Sequence, residues 1–162
     1  MQSFPPTVIL RHRKENLKKC SLRGLESRSD FRFYPYPTDP IPLLPNYIIL
    51  ALDAPVLSEA DRDKGLLIVD ATWRYAGKMM QPILANQPFI KRSLPPELRT
   101  AYPRRQEDCP DPERGLASLG AIYAAYFLLG RDIKGLLDNY YWKKQFLEIN
   151  NLESLKEKIY NC

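Results

Sequence analysis

Two runs of consecutive apolar residues dominate the first half of the chain. Residues 47–52 spell YIILAL and residues 66–70 spell LLIVD, with no charged position before the terminal Asp70. A strand with one solvent-facing side would alternate polar and apolar residues, so uninterrupted runs predict strands covered on both faces, as in a parallel sheet. TVILR, at 7–11, predicts a further short strand, and FIKRSL, at 89–94, is a candidate for another.

Helical patterns are concentrated in the second half. Residues 115–130, GLASLGAIYAAYFLLG, have a broad apolar helical face and stop at Gly130, which predicts a helix with a glycine end. Residues 132–150 and 152–160 predict two further helices, and residues 73–80 predict a helical turn or two directly after the strand LLIVD.

The connections between these elements are rich in proline. Residues 31–46, FRFYPYPTDPIPLLPN, predict an extended connection or an edge segment, because proline donates no backbone hydrogen bond to a sheet. Ser58 followed by EADRDKG predicts a short N-capped helix that ends at Gly65. Residues 95–114 predict a long ordered loop or linker, and loops of that length inside a compact domain are usually functional.

Length and composition agree with one folded α/β domain. The chain has 162 residues, of which 44% are apolar and 27% charged, so a core is expected rather than disorder. We expect a single domain over residues 1–162, with a sheet region at about 7–94 and a loop and helical region at about 95–162.

Several functional classes are disfavoured by what the sequence lacks. No apolar run reaches the roughly 20 residues that span a bilayer, so we expect no membrane partner. The first residues place charge after a short apolar stretch, unlike a secretory signal, and three unspaced cysteines give no disulfide framework; a cytoplasmic location is therefore expected. His12 is the only histidine and there is no CxxC pair, so no metal is expected, and the common phosphate-binding glycine motifs are absent.

Basic residues are concentrated in two segments. The net charge is +5, and residues 11–23 hold six Lys and Arg against Glu15, an excess of 6 − 1 = 5 that equals that of the whole chain. The second segment is 91–105. Two such segments suit a polyanionic partner such as a nucleic acid, and a solvated basic surface is an equal alternative. The candidate contacts with such a partner, RNA-binding residues if it is RNA, are Arg11, Arg13, Lys14, Lys18, Lys19, Arg92, Arg104 and Arg105.

The candidate chemistry follows the strand LLIVD. Asp70 ends this strand and Trp73 comes three residues later. In open α/β sheets, ligands bind beyond the carboxyl ends of the strands. A carboxylate can pair with a cation, and an indole can stack on a ring and donate one hydrogen bond. The alternative is structural, with Asp70 capping the next helix and Trp73 filling the core.

Five segments, in chain order, resemble the aminocarboxypropyltransferases that modify RNA. They are KKCSL (18–22), ALDAPVLSEADRDKGLLIVDATW (51–73), RSLP (92–95), GLASLGAIYAAYFLLG (115–130) and WKKQFLEIN (142–150). They are similar to the family's KKC[ST] segment, its LS-x-x-D and D-x-[ST]-W motifs, its Arg-Leu-Pro element, its S-x-E-A helix and its W-x-x-x-FL-x-x-N segment. The resemblance covers about residues 8–150, and KKCS and FLEIN favour the ribosome-biogenesis branch over the DTW-domain enzymes of transfer RNA.

The resemblance implies a SPOUT-like knotted α/β domain, with a mostly parallel sheet and C-terminal helices, that binds S-adenosylmethionine as a monomer. The implied reaction transfers the 3-amino-3-carboxypropyl group to N3 of a uridine or pseudouridine, with small-subunit ribosomal RNA as the expected substrate. Asp70 is the candidate catalytic residue. The cofactor-binding residues carried over by position are Ser21, Leu50, Ala51, Asp70, Trp73, Leu94, Ala117 and Ser118.

The resemblance also implies a role for each part of this set. Ser21 and the Trp73 indole would hold the cofactor's carboxylate, and Asp70 would lie near its amino group or the reacting base. Leu50 and Ala51 would line the adenosine pocket. Backbone groups of Leu94 and of the loop 108–118 would bind adenine.

One position departs from the family pattern. Where S-x-E-A has glutamate third, this chain has Ser118-Leu119-Gly120-Ala121. A glycine inside a helix costs about 1 kcal/mol relative to alanine, and any role of the glutamate is lost. Two alternatives therefore stay open. One is a non-catalytic RNA-binding ribosome-assembly factor, and the other is an RNA methyltransferase with the same fold.

Overall fold

The computed structural model describes residues 4–12, 22, 24–37, 41–51, 53–70, 73–99, 118–140, 143–154 and 157, with only the backbone described at 73–76 and 118. Five strands lie within these ranges: β1 (Thr7–His12), β2 (Phe31–Tyr36), β3 (Tyr47–Leu50), β4 (Gly65–Asp70) and β5 (Ile90–Arg92). Three α-helices follow as α1 (Trp73–Asn86), α2 (Ser118–Leu129) and α3 (Lys143–Ile149). Single turns of 3-10 helix occur at Leu25–Ser27 and Glu59–Asp61.

The strands form one sheet in the order β2-β1-β4-β3-β5, and every pairing is parallel. The prediction of a parallel sheet from the apolar runs is confirmed. The chain leaves β1 toward β2 at one edge, whereas it leaves β4 through α1 toward β5 at the other edge. The two connections therefore diverge at the carboxyl ends of β1 and β4, the position where open parallel sheets form a ligand crevice.

Alternate residues of the central strands enter two separate cores, because successive side chains of a strand point to opposite faces. Ile9 and Ile68 belong to the cluster that contains Ile122 and Tyr126 of α2. Val8 and Leu67 belong to a second cluster, against which Met80 and Ile83 of α1 pack. The sheet is thus covered on both faces, which explains why its central strands are apolar throughout.

Helix α2 runs opposite to the strands. Near its end, the Tyr126 hydroxyl lies 2.7 Å from Thr7 Oγ1 at the start of β1. Arg131, just after the helix, donates to the carbonyl of Lys64 at the start of β4. Because its C-terminus lies at the amino edge of the sheet, its N-terminus points back toward the carboxyl edge. Helix α1 follows β4 directly and begins at that edge too.

Two predicted helices differ from the observed ones. The predicted helix over 132–150 is wrong in its first half, because residues 134–139 form turns and α3 begins only at Lys143. Gly135 has a φ of +80°, a left-handed conformation that ends helical geometry. The helix predicted over 73–80 is longer than expected and continues through Pro82 to Asn86.

The prediction of a helix from Ser58 to Gly65 is correct only at its start. Ser58 caps a 3-10 helix that stops at Asp61, and Gly65 is instead the first residue of β4. Glycine is required there because a Cβ would lie 2.4 Å from the ring of Tyr47. The predicted edge segment at 31–46 contains the edge strand β2.

Candidate functional site

An ion pair joins the carboxyl ends of β1 and β4. Arg11 and Asp70 are register partners in these two parallel strands. The Nε–H of Arg11 donates to Oδ2 of Asp70 at 3.3 Å. Asp70 is 6% exposed. By strand alternation both residues are on the same face as Ile9 and Ile68, the face that α2 covers. A buried carboxylate with a cationic partner therefore lies where the two chain connections diverge.

The guanidinium of Arg11 also contacts Glu26 and Phe33. Its Nη1 donates to Oε1 of Glu26 at 3.0 Å, and its Cζ lies 4.4 Å from the centre of the Phe33 ring. The other Glu26 oxygen accepts a 2.8 Å hydrogen bond from the N–H of Gly24. Burial raises the pKa of the Glu26 carboxyl, but hydrogen bonds from its own backbone, from Arg11 and from Gly24 outweigh it, so the pKa lies below its ordinary value. Glu26 is therefore ionised at neutral pH.

Apolar residues continue the same edge beside Asp70. Leu50 ends β3 and Leu94 follows β5, and both are half-buried against the core that α2 shares with the sheet. The N–H of Ala51 donates to the carbonyl of Arg92 at 2.8 Å, which ties the ends of β3 and β5 together. Four predicted cofactor residues, Leu50, Ala51, Asp70 and Leu94, thus lie along neighbouring strand ends.

The other predicted cofactor residues stand at helix starts or outside the described residues. Trp73 is the first residue of α1 and Ser118 the first of α2. Helix N-termini carry partial positive charge from unpaired backbone N–H groups. Ser21 and Ala117 lie outside the described residues.

Two of the predicted RNA contacts have partners within the protein. Arg11 pairs with Asp70 and Glu26, and the Nε–H of Arg92 donates to Oδ2 of Asp61 at 3.1 Å. The other six lie outside the described residues: Arg13, Lys14, Lys18, Lys19, Arg104 and Arg105.

The LS-x-x-D segment at residues 57–61 has a structural role. Ser58 Oγ accepts from the Ala60 N–H at 3.3 Å, and Asp61 Oδ2 accepts from the Ser58 N–H at 3.4 Å, a reciprocal capping box. Because buried Asp61 also binds Arg92, it fixes the connection between β3 and β4 against the end of β5. The segment therefore supports the edge on which Leu50 and Leu94 lie.

The asparagine of the FLEIN segment, directly after α3, supports the same region. Asn150 is buried, and its side chain both accepts from the N–H of Arg99 and donates to the carbonyl of Arg99, each at 2.7 Å. It also donates to the carbonyl of Phe146 at 3.0 Å. Sequence reasoning identified the segment but not this contact, which joins residues 51 positions apart.

The glycine that replaces the family's glutamate is in a packed position. A Cβ at Gly120 would lie 3.1 Å from the ring of Phe146, which is buried. Glycine at this position therefore allows α3 to pack closely on the first turn of α2. A glutamate side chain would need the space that Phe146 fills.

Sequence reasoning missed Glu26 and Phe33 as members of the site. Glu26 lies in the connection from β1 to β2 and Phe33 lies within β2, and nothing in their local pattern marks them. Within the described ranges, no group of three or more His, Cys, Asp or Glu side chains could hold a metal ion. No helix in the described part of the chain is long and apolar enough to cross a membrane.

Comparison with known proteins shows that the chain is similar to a solved structure. No protein-family model matches the chain, and no curated protein matches it. The chain is similar to the solved structure of the SAM-dependent rRNA:acp-transferase Tsr3 from Vulcanisaeta distributa, with a TM-score of 0.65 and 22% identity. The likeness covers 95% of this chain and 88% of that one. At this identity it establishes a shared fold, an α/β arrangement with a mostly parallel sheet.

Proposed function

We propose that this protein transfers the 3-amino-3-carboxypropyl group of S-adenosylmethionine to N3 of a uridine or pseudouridine in RNA. One observation carries the proposal. Asp70, from the D-x-x-W segment, lies where the strand connections diverge, in a fold shared with an rRNA acp-transferase. A ligand site of any kind would explain the position of Asp70 at the strand ends. It would not explain why five motifs occur in the order that the aminocarboxypropyltransferases have.

The residues at this edge suit the chemical groups of S-adenosylmethionine, which has a carboxylate, an ammonium, a sulfonium and an adenosine. Asp70 would hold the ammonium, and the apolar side chains of Leu50 and Leu94 would contact the adenosine. Ser21 and Trp73 would hold the carboxylate, and the starts of α1 and α2 would add partial positive charge. When bound, the cofactor supplies an electrophilic carbon next to its sulfonium.

The protein's own contribution is positioning and charge. Transfer requires that N3 of the base lose its proton, and Asp70 is the candidate acceptor. A carboxylate is a weak base for this proton, so holding the base in line with the electrophilic carbon would contribute the larger share of the rate. A site that encloses the methyl group and leaves the carboxypropyl carbon accessible selects the group transferred.

We further propose the finer features that the resemblance implies. The chain is a single domain over 1–162 with a SPOUT-like knot, and the insertion of β4 between β1 and β3 supports a threaded arrangement. Small-subunit ribosomal RNA is the substrate, on the strength of KKCSL and FLEIN, and the protein acts in the cytoplasm. The RNA-facing rim consists of the basic residues of 11–23 other than Arg11, together with those of 91–105.

Product analysis tests the proposal against both alternatives. The protein is incubated with S-adenosylmethionine and total RNA, and the small-molecule product is identified. Methylthioadenosine is expected, whereas S-adenosylhomocysteine would identify a methyltransferase. RNA binding with neither product would favour an assembly factor.

A calorimetric titration tests the cofactor site separately. Trp73→Ala should weaken S-adenosylmethionine binding by about 1–3 kcal/mol, because stacking and one hydrogen bond are removed. Trp73→Phe keeps a ring and should lose only part of this. Leu84→Ala, at an exposed position on the same helix, is the matched control and should not change the affinity. Equal affinity in wild type and Trp73→Ala would remove Trp73 from the site.

A further inference from the structure

We propose that Arg11 is a positioning residue for Asp70, and that Glu26 holds Arg11 in the required orientation. The inference rests on the proposed function, since it assigns a role within the same cofactor site. It changes the role of Arg11, which the charge distribution alone would assign to RNA.

The pairing of Arg11 with Asp70 is built into the sheet. The two residues are opposite each other in adjacent parallel strands, on the face that α2 covers. Neighbouring strands lie about 4.8 Å apart, so side chains of register partners on one face are held close together. The side chains of Arg11 and Asp70 are 11% and 9% exposed. A contact of this kind is far more persistent than an ion pair between two flexible surface side chains.

Within the described part of the chain, three groups hold the guanidinium of Arg11. Asp70 binds its Nε at 3.3 Å, Glu26 binds its Nη1 at 3.0 Å, and its Cζ lies over the Phe33 ring, 4.4 Å from the ring centre. Because guanidinium is planar, contacts at two different nitrogens and one face fix its orientation. The Nε–H is thereby directed at the Asp70 carboxylate.

Glu26 is itself fixed by the backbone. Gly24 has a φ of +97°, and its N–H donates to Glu26 at 2.8 Å. This φ lies in the left-handed region that favours glycine, so the turn at Gly24 depends on its conformational freedom. The connection after β1 therefore presents Glu26 to Arg11, and Arg11 in turn presents its Nε–H to Asp70.

The contacts that run from Glu26 through Arg11 to Asp70 favour a role for Arg11 in the cofactor site over a role in RNA binding. A guanidinium shared by two carboxylates has little net charge left to attract a phosphate. Removing it would leave Asp70 as a buried carboxylate without this cation, which is costly and removes the N–H that orients one of its oxygens. Asp70 would then present its charge to the cofactor less well.

A double-mutant cycle on cofactor affinity tests the inference. S-adenosylmethionine is titrated into wild type, Arg11→Met, Asp70→Asn and the double variant. If Arg11 acts through Asp70, each single change weakens binding by about tenfold, and the double variant binds no more weakly than Asp70→Asn. Arg11→Lys keeps the charge and should recover part of the affinity. Arg32→Met removes an equal charge from an exposed position on β2 and should leave the affinity unchanged.

Glu26→Gln, at a side chain that is 42% exposed, distinguishes the two roles, and urea unfolding checks that the variant is folded. The inference predicts several-fold weaker S-adenosylmethionine binding and unchanged affinity for a small-subunit ribosomal RNA transcript. Unchanged cofactor affinity together with tighter RNA binding would indicate that Arg11 contacts RNA, and would overturn the inference. Additive losses in the cycle would also overturn it.

A failure of the Arg11 inference can be distinguished from a failure of the proposed function. If wild type transfers the carboxypropyl group while the cycle is additive, the function stands and only the role of Arg11 fails. A wild type that neither binds S-adenosylmethionine nor transfers would overturn both.

Discussion

At the scale of single residues, Asp70 has two proposed roles that a rate measurement separates. We expect Asp70→Ala to lower the single-turnover rate at saturating cofactor by about a hundredfold or more, the usual contribution of a positioned acid or base. The dissociation constant of S-adenosylmethionine should rise as well, because the variant removes the buried charge that is proposed to hold the ammonium. An unchanged rate at saturation would assign Asp70 to cofactor binding alone.

A second carboxylate, far from the proposed site, makes the protein sensitive to acid. Asp30 is buried, and Arg28 binds both of its oxygens at 2.9 Å. Burial raises the pKa of Asp30, but the hydrogen bonds and charge of Arg28 outweigh it, so the pKa lies below its ordinary value. The ionised carboxylate therefore stabilises the folded state above the unfolded-state pKa, and this stabilisation disappears as the pH falls through the folded-state pKa.

We expect Asp30→Asn to lower the free energy of unfolding at neutral pH by about 2–4 kcal/mol, because Arg28 loses its partner. The stability of the variant should also change less than that of wild type in the acid range. Urea unfolding across pH measures both effects. Asp53→Asn, at an exposed position, is the control. Parallel stability curves for wild type and Asp30→Asn would contradict the assignment.

At the scale of elements, α3 ties together parts of the chain that are distant in sequence. Asn150 binds the backbone of Arg99 on both its N–H and its carbonyl, and Phe146 packs on Gly120 at the start of α2. These contacts fix Arg99 and Gly120, which are 21 positions apart in the sequence, against one short helix and the residue that follows it.

We expect Asn150→Ala to destabilise the protein by about 2–4 kcal/mol, because it removes hydrogen bonds at 2.7 and 3.0 Å from a buried site. Asn150→Asp keeps the shape and one acceptor but removes the donors, and should cost a similar amount. Asn151→Ala, which removes an exposed helix-capping contact, should cost about 1 kcal/mol. Thermal and urea unfolding of the three variants makes the comparison. Equal losses of stability for Asn150→Ala and Asn151→Ala would show that the buried hydrogen bonds contribute little.

The pattern of apolar and polar residues predicted which strands and helices are present better than it predicted where each one begins and ends. The apolar runs predicted β3 and β4 because a strand buried on both faces needs no polar position. The prediction failed at 132–150 because amphipathic spacing does not reveal that Gly135 adopts a left-handed conformation. It also failed at Gly65, where the reason for glycine is the ring of Tyr47, which is distant in sequence.

The candidate site could be predicted only in part, for a physical reason. The position of Asp70 at a strand end follows from one segment. Its contact with Arg11 depends on the register of β1 and β4, which are separated by two other strands in the sequence. Glu26 enters the site only because the turn at Gly24 orients it, and no local pattern encodes that contact.

At the scale of the whole molecule, the proposed rim has a measurable electrostatic signature. Replacing Arg13, Lys14 and Lys18 by alanine should weaken binding to small-subunit ribosomal RNA. It should also reduce the slope of log affinity against log salt by about 0.7–0.9 for each phosphate that the variant no longer neutralises. Replacing Arg32, Lys134 and Lys144, which are exposed, removes an equal charge as a control. An unchanged slope in the first triple variant would assign 11–23 to a solvated surface.

The central claim concerns which group leaves the cofactor, and a double-label experiment tests it most directly. The protein is incubated with total RNA and S-adenosylmethionine labelled either in the carboxyl group or in the methyl group. The account predicts that carboxyl label enters RNA and that methyl label leaves in methylthioadenosine. The Asp70→Ala variant should incorporate far less label under the same conditions. Methyl label in RNA with no carboxyl label would contradict the account, because it would mean that the site exposes the methyl carbon instead.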